Sequence, residues 1–178
     1  ILADKEEIGN MGATGMQSSF FEDMVAAVLA LTGEDSPVKV RRVLRNFCML
    51  SSDVSAAYDP LYPEVFEKKN TAYFGRGLVL NKYTGSRGKN GTSDANAEYV
   101  AKVRNVFDNN HVAFQTAELG KVDQGGGGTI AYVMANKAMS VIDSGVAVLS
   151  MHAPYEVTSK SDVYEVYRGY KAFLKDMK

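Results

Sequence analysis

Apolar residues along the chain follow two alternating rhythms. From about Gln17 to Leu31, Phe20, Phe21, Met24, Val25, Val28, Leu29 and Leu31 recur at helical spacing, with Ser18 or Ser19 placed to cap the helix and Gly33 to end it. A second helix is expected from about Pro37 to Asn46, with proline in its first turn and Val40, Val43 and Leu44 on one face. It leads into Phe47-Cys48-Met49-Leu50, a continuous apolar run that reads as a buried strand closed by Ser51-Ser52-Asp53. Leu78-Val79-Leu80, Val112-Ala113-Phe114 and Gly145 to Met151 read as further strands. Further helices are expected after a Ser93 cap (Ala97, Val100, Ala101, Val103, Val106, Phe107), from about Thr129 to Met139, and from about Ser159 to Lys175. The stretch from Tyr58 to Tyr73, with Pro60 and Pro63, reads as irregular, and 81–92 as a mobile basic loop. Helices alternating with near-continuous apolar strands predict an α/β three-layer sandwich, a mostly parallel, mixed sheet with helices on both faces.

Composition narrows this picture. The 178 residues, 46% hydrophobic, suit one domain with a real core. A net charge of -1, from 20 basic against 21 acidic residues, gives no electrostatic footprint for nucleic acid or an anionic membrane surface. No apolar stretch approaches the roughly 20 residues of a membrane-spanning helix. The single cysteine, Cys48, sits among hydrophobes and is expected in the core; with no partner for a disulfide, it suits a reducing, cytoplasmic compartment. Ile1-Leu2-Ala3 reads as the end of a buried strand, so the polypeptide is expected to continue upstream.

Three polar clusters follow predicted strands: Asp4 to Glu7, Asp53, and His152 within Met151-His152-Ala153-Pro154-Tyr155-Glu156. Loops at the carboxyl ends of strands build the site of an open α/β sheet, so these clusters are expected to converge. Two Glu, an Asp and a His without thiolate are ligand chemistry for zinc, manganese or cobalt in a hydrolytic centre. Adjacent residues of an extended turn point opposite ways, so one member of Glu6-Glu7 can bind metal while the other faces substrate as a proton carrier. Each feature also has a plain structural reading: a solvated turn for the Glu pair, a cap for Asp53, a hydrogen-bonded structural residue for His152 with Glu156 orienting it. His111 reads as a surface turn residue. Gly125 to Gly128 before a helix suit a tight turn, a phosphate cradle without a P-loop's lysine, or, at Gly126 and Gly127, close approach of a peptide backbone.

Taken together, Ala3-Asp4-Lys5-Glu6-Glu7-Ile8-Gly9, Ser52-Asp53-Val54, Gly125 to Ile130 and Met151 to Glu156 resemble the aspartyl aminopeptidase and vacuolar aminopeptidase I family of two-metal aminopeptidases. The resemblance is ordered and spans essentially the whole chain. It implies a zinc-exopeptidase-like fold and a carboxyl-terminal portion of a catalytic domain, residues 1–178, without the upstream part and the inserted oligomerisation domain. It implies that Glu6 is the general acid/base, that Glu7 and His152 ligate one metal, and that Asp53 holds the other. The family's upstream histidine and bridging aspartate have no counterpart here, and the histidine that often follows the metal-binding aspartate is replaced by Val54-Ser55-Ala56-Ala57-Tyr58.

The activity so implied is hydrolysis of an acidic or neutral amino-terminal residue from a peptide, with two zinc ions per complete centre and a homo-oligomer, commonly a dodecamer, as the assembly. Lys82, with Arg87 and Lys89 in the basic loop, is the expected partner of an acidic substrate side chain. The competing classes are a non-catalytic assembly or binding module that keeps the peptidase fold, and a nucleotide-binding protein built on Gly125 to Gly128.

Overall fold

A computed structural model describes residues 1–34, 36–87, 90–121 and 123–177, with the backbone alone at 86 and 90. Lys89 of the basic loop lies outside the described residues. Helix α1 (Phe20–Ala30) is followed by α2 (Pro37–Arg45), whose amino end is fixed by Pro37 and by the Ser36 hydroxyl accepting from Lys39 N–H at 3.2 Å. Strand β1 (Cys48–Ala56) comes next, then a largely irregular stretch with one 3-10 turn at Pro63–Val65, and β2 (Leu78–Asn81). A hairpin, β3 (Tyr83–Ser86) and β4 (Asn90–Asp94), precedes α3 (Ala97–Asn109) and β5 (Phe114–Thr116). The chain closes with α4 (Ala131–Ala135), β6 (Ser140–Leu149), β7 (Val157–Thr158) and α5 (Lys160–Asp176), the last capped by Ser159.

The main sheet has the order β1-β6-β2-β5, with β7 also on β6. The β1–β6 and β2–β5 pairs are parallel, while β2–β6 and β6–β7 are antiparallel, so the sheet is mixed. Alternation along the strands divides the core between its two faces. Met49 and Val141 pack with Phe21, Val25, Leu44 and Met134 from α1, α2 and α4, whereas Leu50 and Ile142 pack with Val103, Phe107 and Ala172 from α3 and α5. The expected three-layer α/β sandwich is the observed architecture.

Several local expectations are corrected. Asp53 lies inside β1 rather than after it, because β1 continues in parallel register with β6 through Ala56. Cys48 is exposed, since β1 is an edge strand bonded only to β6 in the sheet path. The 81–92 stretch is not a simple loop, because Gly85 and Arg87 N–H donate to the Gly127 and Gly125 carbonyls at 3.0 and 2.9 Å, giving the hairpin a second support. Asn96, not Ser93, caps α3, its side chain accepting from Tyr99 N–H at 2.8 Å. Helix α4 is only five residues long. Ile1 and Leu2 are exposed and belong to no strand. His111 stands in an exposed turn with positive φ, as expected.

Candidate metal centre

The Glu6-Glu7 pair sits in a 3-10 turn, Glu6–Ile8, bounded by left-handed residues at Lys5 and Gly9. Asn10 N–H closes the loop onto the Lys5 carbonyl at 2.7 Å, and Asp4 anchors it by accepting from the Thr14 hydroxyl at 2.7 Å. Asp53 is carried by β1 directly opposite Gly145 of β6. A Cβ at Gly145 would lie 1.4 Å from the Asp53 carbonyl oxygen, so this close approach of the two strands admits only glycine. The Asp53 carboxylate accepts from Val54 N–H at 2.7 Å, which fixes its direction.

Beyond β6 the chain turns through Ser150 and His152, both at positive φ, with Ala153 N–H bonded to the Ser150 carbonyl at 2.9 Å. Glu156 braces this turn, but not as expected. It accepts from the backbone N–H of His152 at 2.5 Å rather than from the imidazole. The ring is thereby free to reach Glu7, with Nε2 3.5 Å from Oε2.

Glu6, Glu7, Asp53, His152 and Glu156 line a single cavity of about 780 Å³, together with Gly125 to Gly128, Thr129 and an apolar wall that includes Val65, Phe66 and Leu119. Partial burial raises the pKa of Glu6, and the charges of Asp53 and Glu7 raise it further. Burial likewise raises that of Asp53, with the Val54 N–H opposing and the Glu7 charge adding. The nearby carboxylates therefore repel one another, and His152 partly offsets this for Glu6 and Asp53.

The donor set fits a zinc-type ion. Two donors each about 2 Å from one tetrahedral ion lie roughly 3.3 Å apart, close to the separation of Glu7 and His152. Among the described residues, however, no group of three or more His, Cys, Asp or Glu side chains is gathered tightly enough to hold an ion.

Residues 1–174 match the sequence pattern of the family described as Aminopeptidase I zinc metalloprotease (M18). The chain belongs to the M18 family. It is 61% identical over 176 residues to a probable M18 family aminopeptidase 1 of Clostridium acetobutylicum, a match covering 99% of this chain and 38% of the relative. The crystal structure of an M18-family aminopeptidase from Thermotoga maritima superposes with a TM-score of 0.92 at 45% identity, over 97% of this chain and 38% of that one. The structure of a Saccharomyces cerevisiae mApe1 dodecamer superposes with a TM-score of 0.75 at 25% identity, over 98% of this chain and 37% of that one. This M18 chain thus spans about two fifths of the length of the curated relatives it matches.

Of the residues picked from the M18 sequence, Gly126 and Gly127 line the cavity, as do the three candidate donors, Glu6 and Glu156. Lys82 does not: its ammonium is paired with Asp94, outside the lining. The glycine run leads into a helix of one short turn, which offers little dipole for a phosphate and removes the motive for a nucleotide site. Sequence reasoning missed Gly145, the apolar wall, and the buried hydroxyls and carboxylate behind the glycine run. Gly145 left a legible trace as the lone glycine of the β6 segment, directly before the apolar run Val146 to Leu149.

Proposed function

We propose that this chain carries the proton-transfer carboxylate and part of the metal-donor set of a two-metal zinc aminopeptidase. The observation that supports it best is the 3.5 Å approach of His152 Nε2 to Glu7 Oε2 in a cavity shared with Glu6 and Asp53. In this reading Glu7 and His152 hold one zinc and Asp53 the other, with manganese or cobalt as substitutes the donor set also accepts. When bound, the ions polarise the scissile carbonyl and lower the pKa of a water molecule. Glu6 takes the proton and later delivers it to the leaving amine, a task its raised pKa suits. Glu156 keeps the His152 turn in shape, and Gly126 and Gly127 let the peptide backbone lie close.

Three donors cannot close the coordination of two ions. The remaining donors come from further polypeptide or a partner copy, with residues 1–178 forming the carboxyl-terminal portion of the catalytic domain. The preferred amino-terminal residue is neutral and apolar: Val65, Phe66 and Leu119 wall the cavity, and among the described residues no Lys or Arg lines it. A homo-oligomer, with the mApe1 dodecamer as the guide, is the proposed assembly. The exposed, unpaired Cys48 suits the cytoplasm, and among the described residues no helix is long and apolar enough to cross a membrane.

The second reading, a non-catalytic module that keeps the peptidase fold, is favoured by the lack of a three-donor group among the described residues. One experiment separates the two. In the polypeptide at the full length of its relatives, zinc content and turnover of leucyl and aspartyl peptides are measured for the parent, Glu7→Ala and His152→Ala. Loss of zinc and turnover in both variants supports the metal centre. Undiminished zinc in both, or a parent without turnover, leaves the non-catalytic module.

A further inference from the structure

Behind the glycine run lies a polar group that the proposed chemistry does not use. Asp143, in the middle of β6, is 3% exposed, and one carboxylate oxygen, Oδ1, is buried without a hydrogen-bond partner. The other, Oδ2, accepts from the Thr84 hydroxyl of β3 at 3.2 Å. Thr84 Oγ1 stands 3.5 Å from Thr129 Oγ1, and Thr129 in turn accepts from Ala131 N–H at 3.3 Å. Thr84 and Thr129 are as buried as Asp143, but Thr129 also borders the cavity, directly after Gly128.

The direction of this chain is determined by chemistry. An ionised carboxylate only accepts, so Thr84 spends its single proton on Asp143 and the Thr129 hydroxyl is left to donate, either to Thr84 Oγ1 or to the carboxylate itself. Thr129 then has its lone pairs available to the first N–H of α4. One buried charge thereby orients two hydroxyls and ties β6, β3 and the start of α4 together. The same hairpin holds the glycine run from its other side, through the bonds of Gly85 and Arg87 N–H to the Gly127 and Gly125 carbonyls. Gly126 is wedged between them, at φ +94° with the Gly85 carbonyl 2.6 Å from where a Cβ would be.

We propose that Asp143 is a positioning residue for substrate binding, holding Gly125 to Gly128 against the cavity through Thr84 and Thr129. The proposal rests on the aminopeptidase reading for its link to substrate, but not for the tether itself.

The test uses the full-length enzyme with Asp143→Asn, Thr129→Val and Thr129→Ser, a leucyl peptide substrate, and amide hydrogen exchange. Loss of one charge-assisted hydrogen bond is worth about tenfold in an equilibrium. Asp143→Asn and Thr129→Val should therefore raise KM about tenfold, with kcat and zinc content nearly unchanged. Thr129→Ser, which keeps the hydroxyl, should restore the parent KM. Exchange at Gly85 and Arg87 N–H should accelerate in Asp143→Asn. An unchanged KM in Asp143→Asn, a Thr129→Ser as impaired as Thr129→Val, or unaltered exchange at both amides would overturn the assignment. Absence of turnover in the parent would sink the aminopeptidase reading alone, and the exchange measurement would still decide whether Asp143 holds the loop.

Discussion

Gly145→Ala is the substitution from which the packing of the site can be tested most directly. The added Cβ would lie 1.4 Å from the Asp53 carbonyl oxygen, where ordinary contact begins at 3.4 Å, so β1 and β6 must part locally by about 2 Å. A shift of that size removes about two interstrand hydrogen bonds, each worth roughly 1 kcal/mol. Overpacking of a close-packed interior adds about 1–3 kcal/mol. The variant should therefore lose about 3–5 kcal/mol of unfolding free energy. For a chain of this size that is a fall in Tm of roughly 10 °C. Urea unfolding with a chelator present isolates this effect from metal binding. If Asp53 holds one of two zinc ions as proposed, the same shift in the full-length protein should lower zinc towards one ion per chain. Stability within about 1 kcal/mol of the parent, the ordinary range of a harmless change, would show that the strand contact is not tight and would refute the reasoning.

Glu6→Gln in the full-length enzyme should lower kcat by about 10²–10⁴ with zinc retained, because the amide keeps the shape but cannot carry the proton. Zinc loss with turnover preserved would exchange the roles of Glu6 and Glu7. Asp162, at 1% exposure, accepts from Gly75 and Gly77 N–H at 2.8 Å each, and Asp162→Ala should cost about 2–5 kcal/mol by orphaning both donors; a loss below about 1 kcal/mol in urea unfolding would contradict it. Burial pushes Asp143 up to about 6 from 3.8, so the folded chain holds that proton more tightly and this group's contribution to stability falls as pH rises between those values. Asp143→Asn should accordingly gain up to about 3 kcal/mol relative to the parent between about pH 4 and pH 7, and a pH-independent difference would argue against it.

Much of the frame was legible because long amphipathic helices and apolar strands announce themselves by period. α1, α2 and α3 occur where Phe21, Leu44 and Val103 predict a buried face, and α5 fills the span expected from about Ser159 to Lys175. What escaped depended on contacts distant in sequence. Ser51-Ser52-Asp53 reads as a strand's end, yet parallel pairing with β6 holds it extended as far as Ala56. The β3–β4 hairpin lacks apolar alternation and draws support from glycine carbonyls some 40 residues on. Ser93 and Asn96 are both competent caps, and only the position of β4 decides between them. For the site, the residue types and their order pointed to Glu6, Glu7, Asp53 and His152, but the brace from Glu156 to a backbone N–H and the apolar wall depend on loop geometry that no spacing encodes.

The distribution of charge also separates the cavity from the rest of the surface. Elsewhere several carboxylates pair with lysine: Asp4 with Lys5, Glu22 with Lys137, Asp94 with Lys82. At the cavity the chain gathers Glu6, Glu7, Asp53 and Glu156 with one imidazole and, among the described residues, no lysine or arginine in the lining. Glu6 and Asp53 are raised in pKa chiefly by burial and further by their carboxylate neighbours, and a divalent cation would relieve that repulsion. In the proposed aminopeptidase an acidic substrate side chain would enter the same field with, among the described residues, no lysine or arginine of the lining to meet it, since Lys82 is paired with Asp94. A leucyl side chain adds no charge and gains contact with Val65, Phe66 and Leu119. Once its partner Asp94 is seen, Lys82 no longer supports acidic peptides, and the proposed preference for neutral ones rests on the apolar wall.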